Sequence, residues 1–373
     1  MTKRQLLLNC LNLLSGNGFA FSFDRIPLSY ARLDARRRNN LLLAGLDQFL
    51  GRTRMLAAPP VLQIEPTNVC NLACPLCPSK TMGRKRGMMA PETFEAILRQ
   101  AGDTLMLAIL YGWGEPFLND NLPKMIARCR DRGILSLTST NGHFLQTPEK
   151  ALEVVDAGLS ALVIAIDGAT QESYAAYRKN GSLDHALRCV ENVQEAKARR
   201  NSATPFTNLR LVANRHNEDE TGKMEEMARE LGVNMFSVKS LGCLPDREEF
   251  AEFLPASKGM RRFGPNRERR PRKSTFRCRY PFRQPTVFWD GTVVGCEFDY
   301  EANMAWGNVN AGRFREMWNG EAAQNLRTAV LEWAHRPEFC MKCPYVGRGR
   351  NSSIVRSIVF EPPTPGAADA PCS

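Results

Sequence analysis

Three cysteines lie close together in a loop that follows a short apolar segment. Cys70, Cys74 and Cys77 have three and two residues between them, and residues 61–65 before them have the pattern of a buried strand. A structural zinc site normally has four protein ligands, as does a ferredoxin-type cluster, yet the next cysteine is Cys129. Three thiolates can hold three irons of a cubane and leave the fourth iron open to a small molecule. A surface zinc knuckle or a chance spacing is the alternative.

A second group of cysteines is spread over the C-terminal third of the chain. Cys278, Cys296, Cys340 and Cys343 are separated by 17, 43 and two residues, and an Asp-Gly pair at 290–291 predicts a hairpin turn between them. Four gathered thiolates can bind either zinc or a complete iron–sulfur cluster. The spacing alone does not decide between these two sites.

The segment between the two groups predicts a parallel sheet. Short apolar runs alternate about six times with helical patterns, which favours βαβ units with crossover helices. The predicted strands are 61–65, 105–111, 134–138, 161–166, 208–212 and 235–239.

Polar and glycine-containing segments follow successive predicted strands. They are Tyr-Gly-Trp-Gly-Glu-Pro at 111–116, Ser-Thr-Asn-Gly at 139–142, and Asp167 with Arg178 after the fourth strand. Each is an ordinary turn in isolation. Because the carboxyl ends of parallel strands meet at one edge of a sheet, we expect these segments to line one ligand site.

The cysteine loop resembles the CxxxCxxC motif of radical S-adenosylmethionine (SAM) enzymes, and the later segments resemble that family's strand-end motifs over residues 61–245. The resemblance implies a partial (β/α)6 TIM-like barrel in which Cys70, Cys74 and Cys77 bind a [4Fe-4S] cluster that cleaves SAM to a 5′-deoxyadenosyl radical. Trp113 departs from the family's usual glycine. The implied SAM-binding residues are Gly114, Glu115, Pro116, Ser139, Thr140, Asn141, Asp167 and Arg178.

The C-terminal cysteines resemble those of a SPASM-type domain in its shortened twitch form. The resemblance implies that Cys278, Cys296, Cys340 and Cys343 ligate one auxiliary [4Fe-4S] cluster entirely through protein. It further implies an oxidoreductase that passes an electron from a substrate radical to this cluster, and a flavodoxin- or ferredoxin-like reductant.

Changes in composition along the 373 residues predict the boundaries of five segments. We expect a helical N-terminal extension at 1–58, the barrel at 59–245, a basic linker at 246–275, the cluster domain at 276–348 and a disordered tail at 349–373. No uncharged apolar stretch reaches about 18 residues, which predicts a cytoplasmic protein. Leucines beside an N-terminal arginine patch are compatible with peripheral membrane contact, and a solvated surface is the alternative.

The substrate is the least determined feature. A small molecule, a sugar or a lipid-linked glycan is favoured over a peptide, because residues 1–58 are too short for a peptide-recognition domain. A peptide- or protein-modifying maturase and a radical SAM epimerase or isomerase are the alternatives within the family. The net charge of +11 also allows a nonenzymatic zinc protein that binds nucleic acid, although the unpaired cysteine triad disfavours it.

Overall fold

The computed structural model describes residues 12, 13, 15, 17–242, 250–262, 278–341, 343, 345 and 353–361. Most of its strands form one ten-stranded sheet, and β1 and β2 form a separate hairpin. The strands are β1 (Asn17–Phe23), β2 (Ile26–Arg32), β3 (Val61–Ile64), β4 (Leu107–Ile109), β5 (Leu135–Thr140), β6 (Ala161–Ala165), β7 (Phe206–Ala213), β8 (Met235–Ser240), β9 (Thr286–Val287), β10 (Thr292–Val294), β11 (Gly307–Asn308) and β12 (Ile354–Val359).

Helices connect the strands and surround them. They are α1 (Ala35–Phe49), α2 (Pro91–Ala101), α3 (Leu122–Asp131), α4 (Pro148–Asp156), α5 (Gln171–Tyr177), α6 (Leu183–Arg199), α7 (Thr221–Glu230), α8 (Phe250–Phe253), α9 (Tyr280–Arg283), α10 (Phe314–Trp318), α11 (Glu321–Glu332) and α12 (Glu338–Met341). Among the described residues, none of these helices has the length and apolar character that a membrane crossing requires.

The six predicted barrel strands are confirmed. Strands β3 to β8 are parallel and lie side by side in chain order, with helices in the connections. Alternate residues face opposite sides, so that Ala108 and Leu162 pack towards the helices while Leu107 and Val163 pack on the other side. This arrangement is the partial (β/α)6 barrel that the family resemblance implies.

The N-terminal extension is not entirely helical, and this corrects the prediction for residues 1–58. Strands β1 and β2 form an antiparallel hairpin whose turn, Asp24-Arg25, has φ values of 48° and 66°. Ile26, Leu28 and Tyr30 of β2 are buried against the face of the barrel strands that the helices leave uncovered. The hairpin therefore fills the interior of the partial barrel, a tertiary contact that no local pattern in these residues indicates.

The C-terminal unit extends the barrel sheet at one edge. Strand β9 pairs in parallel with β3, and β10 and β11 continue the sheet in antiparallel pairing around the predicted Asp-Gly turn. Trp318 of α10 is buried and donates a hydrogen bond from Nε1 to the carbonyl of Ala57 at 2.8 Å. The predicted cluster domain is thus packed on the barrel through both backbone and side-chain contacts.

Two predicted unstructured segments contain ordered structure. In the tail predicted for 349–373, β12 pairs antiparallel with β8 at the opposite edge of the sheet. In the linker predicted for 246–275, Phe250 and Phe253 of α8 are buried beside the cysteine loop, and Arg262 is only 3% exposed. The sequence predicted solvated segments here because these apolar and charged residues lie among prolines and arginines. The residues that bury them are distant along the chain, so no local pattern indicates the burial.

Helix α1 is attached to the barrel through polar contacts. Arg37 is 9% exposed, and its guanidinium donates to the carbonyls of Leu105 at 2.8 Å, Arg132 at 2.7 Å and Gly102 at 3.4 Å. These carbonyls lie in the loops that lead into β4 and β5. One buried arginine thereby satisfies backbone acceptors at the amino-terminal edge of the sheet.

We expect Arg37→Met to lower the free energy of unfolding by roughly 2–4 kcal/mol, because it leaves several buried carbonyls without donors. Urea unfolding measures the effect. The matched control is Arg36→Met, since the Arg36 side chain is 76% exposed and pairs with the exposed Asp103. That control should change stability by no more than about 0.5 kcal/mol. Equal effects of the two substitutions would contradict this role of Arg37.

Candidate functional site

The carboxyl ends of the parallel strands surround a cavity of about 240 Å³. The three clustered cysteines line it, together with most of the predicted strand-end residues. These are Cys70, Cys74, Cys77, Gly114, Glu115, Ser139, Thr140, Asn141 and Arg178. The edge of the sheet therefore gathers residues that lie more than 100 positions apart, as the strand order predicts.

The cysteine loop is held against the glycine turn after β4 by a close backbone approach. The Glu115 N–H donates to the carbonyl of Val69 at 2.8 Å. A Cβ atom at position 114 would lie 2.4 Å from the carbonyl oxygen of Thr67 and 2.6 Å from that of Val69. Only glycine fits at position 114, so Gly114 is required by this close backbone contact and also lines the cavity.

Glu115 is buried at the centre of a hydrogen-bond network. Its carboxylate accepts from the Asn141 N–H at 2.8 Å, the Thr140 hydroxyl at 2.9 Å and the Phe117 N–H at 3.2 Å. Asn141 in turn donates from its side chain to Oδ1 of Asn71 in the cysteine loop at 2.8 Å. Glu115 thus joins the ends of β4 and β5 to the loop that carries the three thiols.

Arg178 and Asp167 form a buried ion pair beside the thiols. Arg178 Nε donates to Asp167 Oδ2 at 2.6 Å, and its Nη1 lies 3.9 Å from Sγ of Cys74. Asp167 is fully buried and also accepts from the Val212 N–H at 2.6 Å. Of the predicted SAM-binding residues, Asp167 and Pro116 do not line the cavity. Asp167 orients Arg178, and Pro116 begins a short 3₁₀ helix behind the glycine turn.

The chemistry of the donors in the first cavity fits a three-thiolate cluster. Burial raises the pKa of the Cys70 thiol to about 12 and also raises that of Cys74, so a bound cationic centre is needed to stabilise the thiolates. Within the described ranges, no three His, Cys, Asp or Glu side chains are placed to hold a single metal ion. The three thiols instead share the wall of one cavity.

The four C-terminal cysteines are brought together around a second cavity. Cys278, Cys296, Cys340 and Cys343 line it with mainly apolar and aromatic neighbours. Burial and the neighbouring Cys278 thiol raise the pKa of Cys296 well above its usual value. Four thiols around one cavity are the donor set of a fully protein-ligated iron–sulfur cluster.

Aromatic side chains separate the two cavities, and Phe298 and Tyr345 line both of them. The rings of Phe298 and Tyr345 are 5.6 Å apart, and Trp113 lies 6.3 Å from Phe298. Trp113 also donates from Nε1 to the carbonyl of Glu297 at 3.0 Å. Trp113, which replaces the family's usual glycine, therefore connects the barrel to the C-terminal unit.

Of the charged residues in the floor of the first cavity, the sequence singled out Lys239 alone, as a residue of the sixth strand that either points into the cavity or ends its strand. Lys239, Arg262 and Glu297 line it, and Asp24 of the hairpin turn pairs with Arg210 at 2.8 Å just behind them. Burial opposes ionisation of Asp24, but Arg210, Lys239 and Arg262 outweigh it and lower its pKa. Arg262 and Asp24 gave no local signal, because they lie in segments predicted as linker and helix.

Glu115 predicts a pH dependence for the protein without cluster or SAM. Burial raises its pKa from 4.5 to about 7, despite the hydrogen bonds that favour the carboxylate. The unfolded chain therefore loses this proton first, and the group's contribution to the free energy of unfolding should fall by roughly 3 kcal/mol as the pH rises from 4.5 to 7. We expect Glu115→Gln to remove most of this decrease in urea unfolding at about pH 5 and about pH 7.5.

Glu95→Gln is the control for this measurement. Glu95 is half-buried, and its hydrogen bond with Arg128 lowers its pKa, so the control should not reduce the loss of stability with rising pH. A wild-type protein that gains stability over this range through Glu115 would contradict the assignment.

Comparison with known proteins agrees with this geometry. Residues 64–228 match the Radical SAM superfamily, and residues 278–344 match the SPASM iron–sulfur cluster-binding domain. A PqqA peptide cyclase of Xanthomonas campestris pv. campestris (strain 8004) is 26% identical over 323 residues, which cover 78% of this chain and 81% of that protein. A PqqA peptide cyclase of Gluconobacter oxydans (strain 621H) is 30% identical, but the match covers only 49% of this chain and 50% of that protein.

The fold is also similar to a solved structure, native anSMEcpe with bound AdoMet and Kp18Cys peptide. The TM-score is 0.58 at 17% identity, and the match covers 79% of this chain and 92% of that one. This likeness concerns the fold alone, whereas the two domain matches fall on the thiol-lined cavities described above. These matches favour a cluster enzyme over a zinc protein that binds nucleic acid. The chain thus contains a radical SAM domain, which implies a [4Fe-4S] cluster that binds SAM, and a C-terminal SPASM domain, which implies auxiliary iron–sulfur binding.

Proposed function

We propose that this protein is a radical SAM enzyme that modifies a peptide substrate in the first cavity. The observation that carries the proposal is the contact between the two sites: the cavity lined by three thiols reaches Phe298 and Tyr345, which also line the cavity with four thiols. Substrate bound there would lie between the two groups of cysteines. The relatives named PqqA peptide cyclase support a peptide.

This choice of substrate reverses the preference drawn from the sequence. The small-molecule preference rested on the shortness of residues 1–58, and the comparisons do not support it. The relative that matches over most of its length, like the one that matches over half, is named for action on a peptide. Residues 17–32 fill the barrel interior and are not free to form a separate recognition domain. In our proposal the peptide therefore contacts the cavity itself.

The residues of the first cavity have distinct proposed roles. Cys70, Cys74 and Cys77 hold the [4Fe-4S] cluster, which with SAM supplies the 5′-deoxyadenosyl radical for hydrogen abstraction. Ser139, Thr140, Asn141, Arg178 and the Gly114-Glu115 turn contact SAM, since all of them line the cavity. Asp167 and Pro116 lie behind these SAM-contacting residues and hold them in place.

The four C-terminal cysteines are proposed to ligate one auxiliary [4Fe-4S] cluster. Complete protein ligation leaves no coordination position for substrate, so the site suits electron transfer. An electron carrier of the flavodoxin or ferredoxin type would supply the reducing electron. Oxidation of the peptide is the outcome that this arrangement favours, with redox-neutral epimerisation or isomerisation as the alternative.

Lys239 and Arg262 favour a peptide with an acidic side chain. Arg262 is held by a 2.9 Å hydrogen bond from Nε to Ser240 Oγ. Burial, with the charges of Arg210 and Arg262, lowers the pKa of Lys239. No carboxylate of the described residues lies within ion-pair distance of Lys239 or Arg262, and Glu297 is the acidic residue that shares the cavity with them. Glu297 balances one of the two positive charges of Lys239 and Arg262, and a carboxylate on the substrate would balance the other.

The cluster assignment predicts about eight irons per chain after anaerobic reconstitution, four for each [4Fe-4S] site. Replacing Cys278, Cys296, Cys340 and Cys343 by Ala should lower the count to about four, because the first cavity keeps its three thiols. Iron and acid-labile sulfide analysis measures both values. Cys129→Ala and Cys189→Ala, which remove buried thiols outside both cavities, should leave the iron content unchanged. About four irons in the unsubstituted protein would contradict the auxiliary cluster.

The substrate assignment predicts that short glutamate-containing peptides stimulate formation of 5′-deoxyadenosine from SAM more than their glutamine counterparts. Lys239→Met should reduce this preference at least several-fold, because it removes one of the two cations that line the cavity. Chromatography of the quenched reaction gives the yield. Lys197→Met is the matched control, since Lys197 lies on α6 and donates to Asn234 outside the cavity. Equal stimulation by both peptides would contradict the acidic preference, and stimulation only by non-peptide compounds would contradict the peptide substrate.

A further inference from the structure

Helix α1 has its polar side buried and its apolar side exposed, the reverse of an ordinary surface helix. Its buried residues are Arg37, Asn40, Ala44 and Asp47. The exposed face carries large apolar side chains at helical spacing. They are Leu42, Leu43, Leu46 and Phe49, with Leu50 directly after the helix.

The orientation of α1 is determined by specific hydrogen bonds. Asn40 exchanges two hydrogen bonds with the backbone of Ala58, at 2.8 and 2.9 Å. Asp47 Oδ2 accepts from the N–H groups of Leu56 and Ala57 at 2.8 and 2.9 Å, and Arg37 satisfies the carbonyls described above. Rotation of the helix to bury its leucines would leave all of these polar groups unpaired in the interior, which is strongly unfavourable.

Large apolar side chains are exposed along this face of α1. Phe49 is 86% exposed, Leu50 51%, Leu46 44% and Leu42 43%, and Leu56 in the following segment is also 44% exposed. Scattered exposed leucines are common on soluble proteins, but one helix face made of such residues marks an interaction surface.

The exposed charged side chains within this segment are arginines. Between residues 35 and 56 they are Arg36, which pairs with the exposed Asp103, Arg52, which lies 4.0 Å from the buried Asp47, and Arg54. An amphipathic helix with arginines beside leucines and phenylalanine matches an anionic lipid surface, where apolar side chains enter the acyl boundary and guanidinium groups meet phosphates.

We propose that the exposed face of α1 docks this protein on an anionic membrane surface. Leu42, Leu46, Phe49 and Leu50 enter the interface, and Arg52 and Arg54 contact lipid phosphates. The contacts of Arg37 place α1 at the amino-terminal edge of β4 and β5, whereas the thiol-lined cavity lies at their carboxyl ends. The docked protein therefore keeps its cavity directed away from the lipid and open to a substrate from solution.

The test is co-sedimentation of the full-length protein with phosphatidylcholine vesicles that do or do not contain about 30% phosphatidylglycerol. We expect binding to the anionic vesicles, a loss of at least tenfold in the variant with both Leu46→Ser and Phe49→Ser, and weaker binding in one with both Arg52→Gln and Arg54→Gln. Leu331→Ser is the control, because Leu331 of α11 is also 44% exposed but lies outside this face.

Three results would overturn the proposal. Failure of the unsubstituted protein to bind either vesicle, or equal binding by the Leu46→Ser/Phe49→Ser variant, excludes lipid docking through this face. A concentration-dependent dimer that this variant abolishes, measured by light scattering, assigns the face to a second copy of the chain. A marked fall in melting temperature in the same variant shows that another segment of the protein covers the face.

Discussion

Parallel pairing of β3 to β8 is the constraint on which the other features depend. Parallel strands require crossover connections, so every strand of the barrel ends at the same edge and its following loop joins the same surface. This brings Cys70, Asn141 and Arg178 to one cavity although the helices between them are long. The close approach of Gly114 to the carbonyls of Thr67 and Val69 then sets how near the cysteine loop lies to the next strand end.

The edges of this sheet link the barrel to the rest of the chain. At the β3 edge, pairing with β9 brings the four C-terminal thiols next to the barrel, and Trp113 reinforces the contact through the Glu297 carbonyl. At the other edge β8 pairs with β12, so both β3 and β8 have a neighbouring strand on their outer side. The same pairings that cover the edges also bring the two groups of cysteines within reach of shared aromatic residues.

Buried charge distinguishes the two sides of the barrel interior. Around the thiols, Arg178 is neutralised by Asp167, and Glu115 is supported by hydrogen bonds. On the floor, Asp24 of the hairpin is paired with Arg210, which leaves Lys239 and Arg262 facing Glu297 in the cavity. The hairpin therefore does more than fill space, because its turn places the Asp24 carboxylate beside three clustered cations and pairs it with one of them.

Local patterns in the sequence were sufficient for the strands of the barrel and for the grouping of the cysteines, whereas the barrel and the clusters were implied by the family resemblance. The six strands, the Asp-Gly turn and the two groups of cysteines depend on hydrophobic periodicity, turn chemistry and ligand spacing, all of which act over a few residues. Resemblance to the family then indicated which strand-end residues face the cavity, and only Asp167 and Pro116 lie behind it.

Tertiary structure decided where the remaining segments pack. The hairpin of residues 17–32, the strand β12 and the burial of Arg262 depend on partners more than 70 positions away or on the interior of the completed barrel. The reversed polarity of α1 has the same origin. Its sequence alone indicated an arginine- and leucine-rich helix. Hydrogen bonds with the backbone groups of residues 56–58, 105 and 132 determine that its polar side is buried.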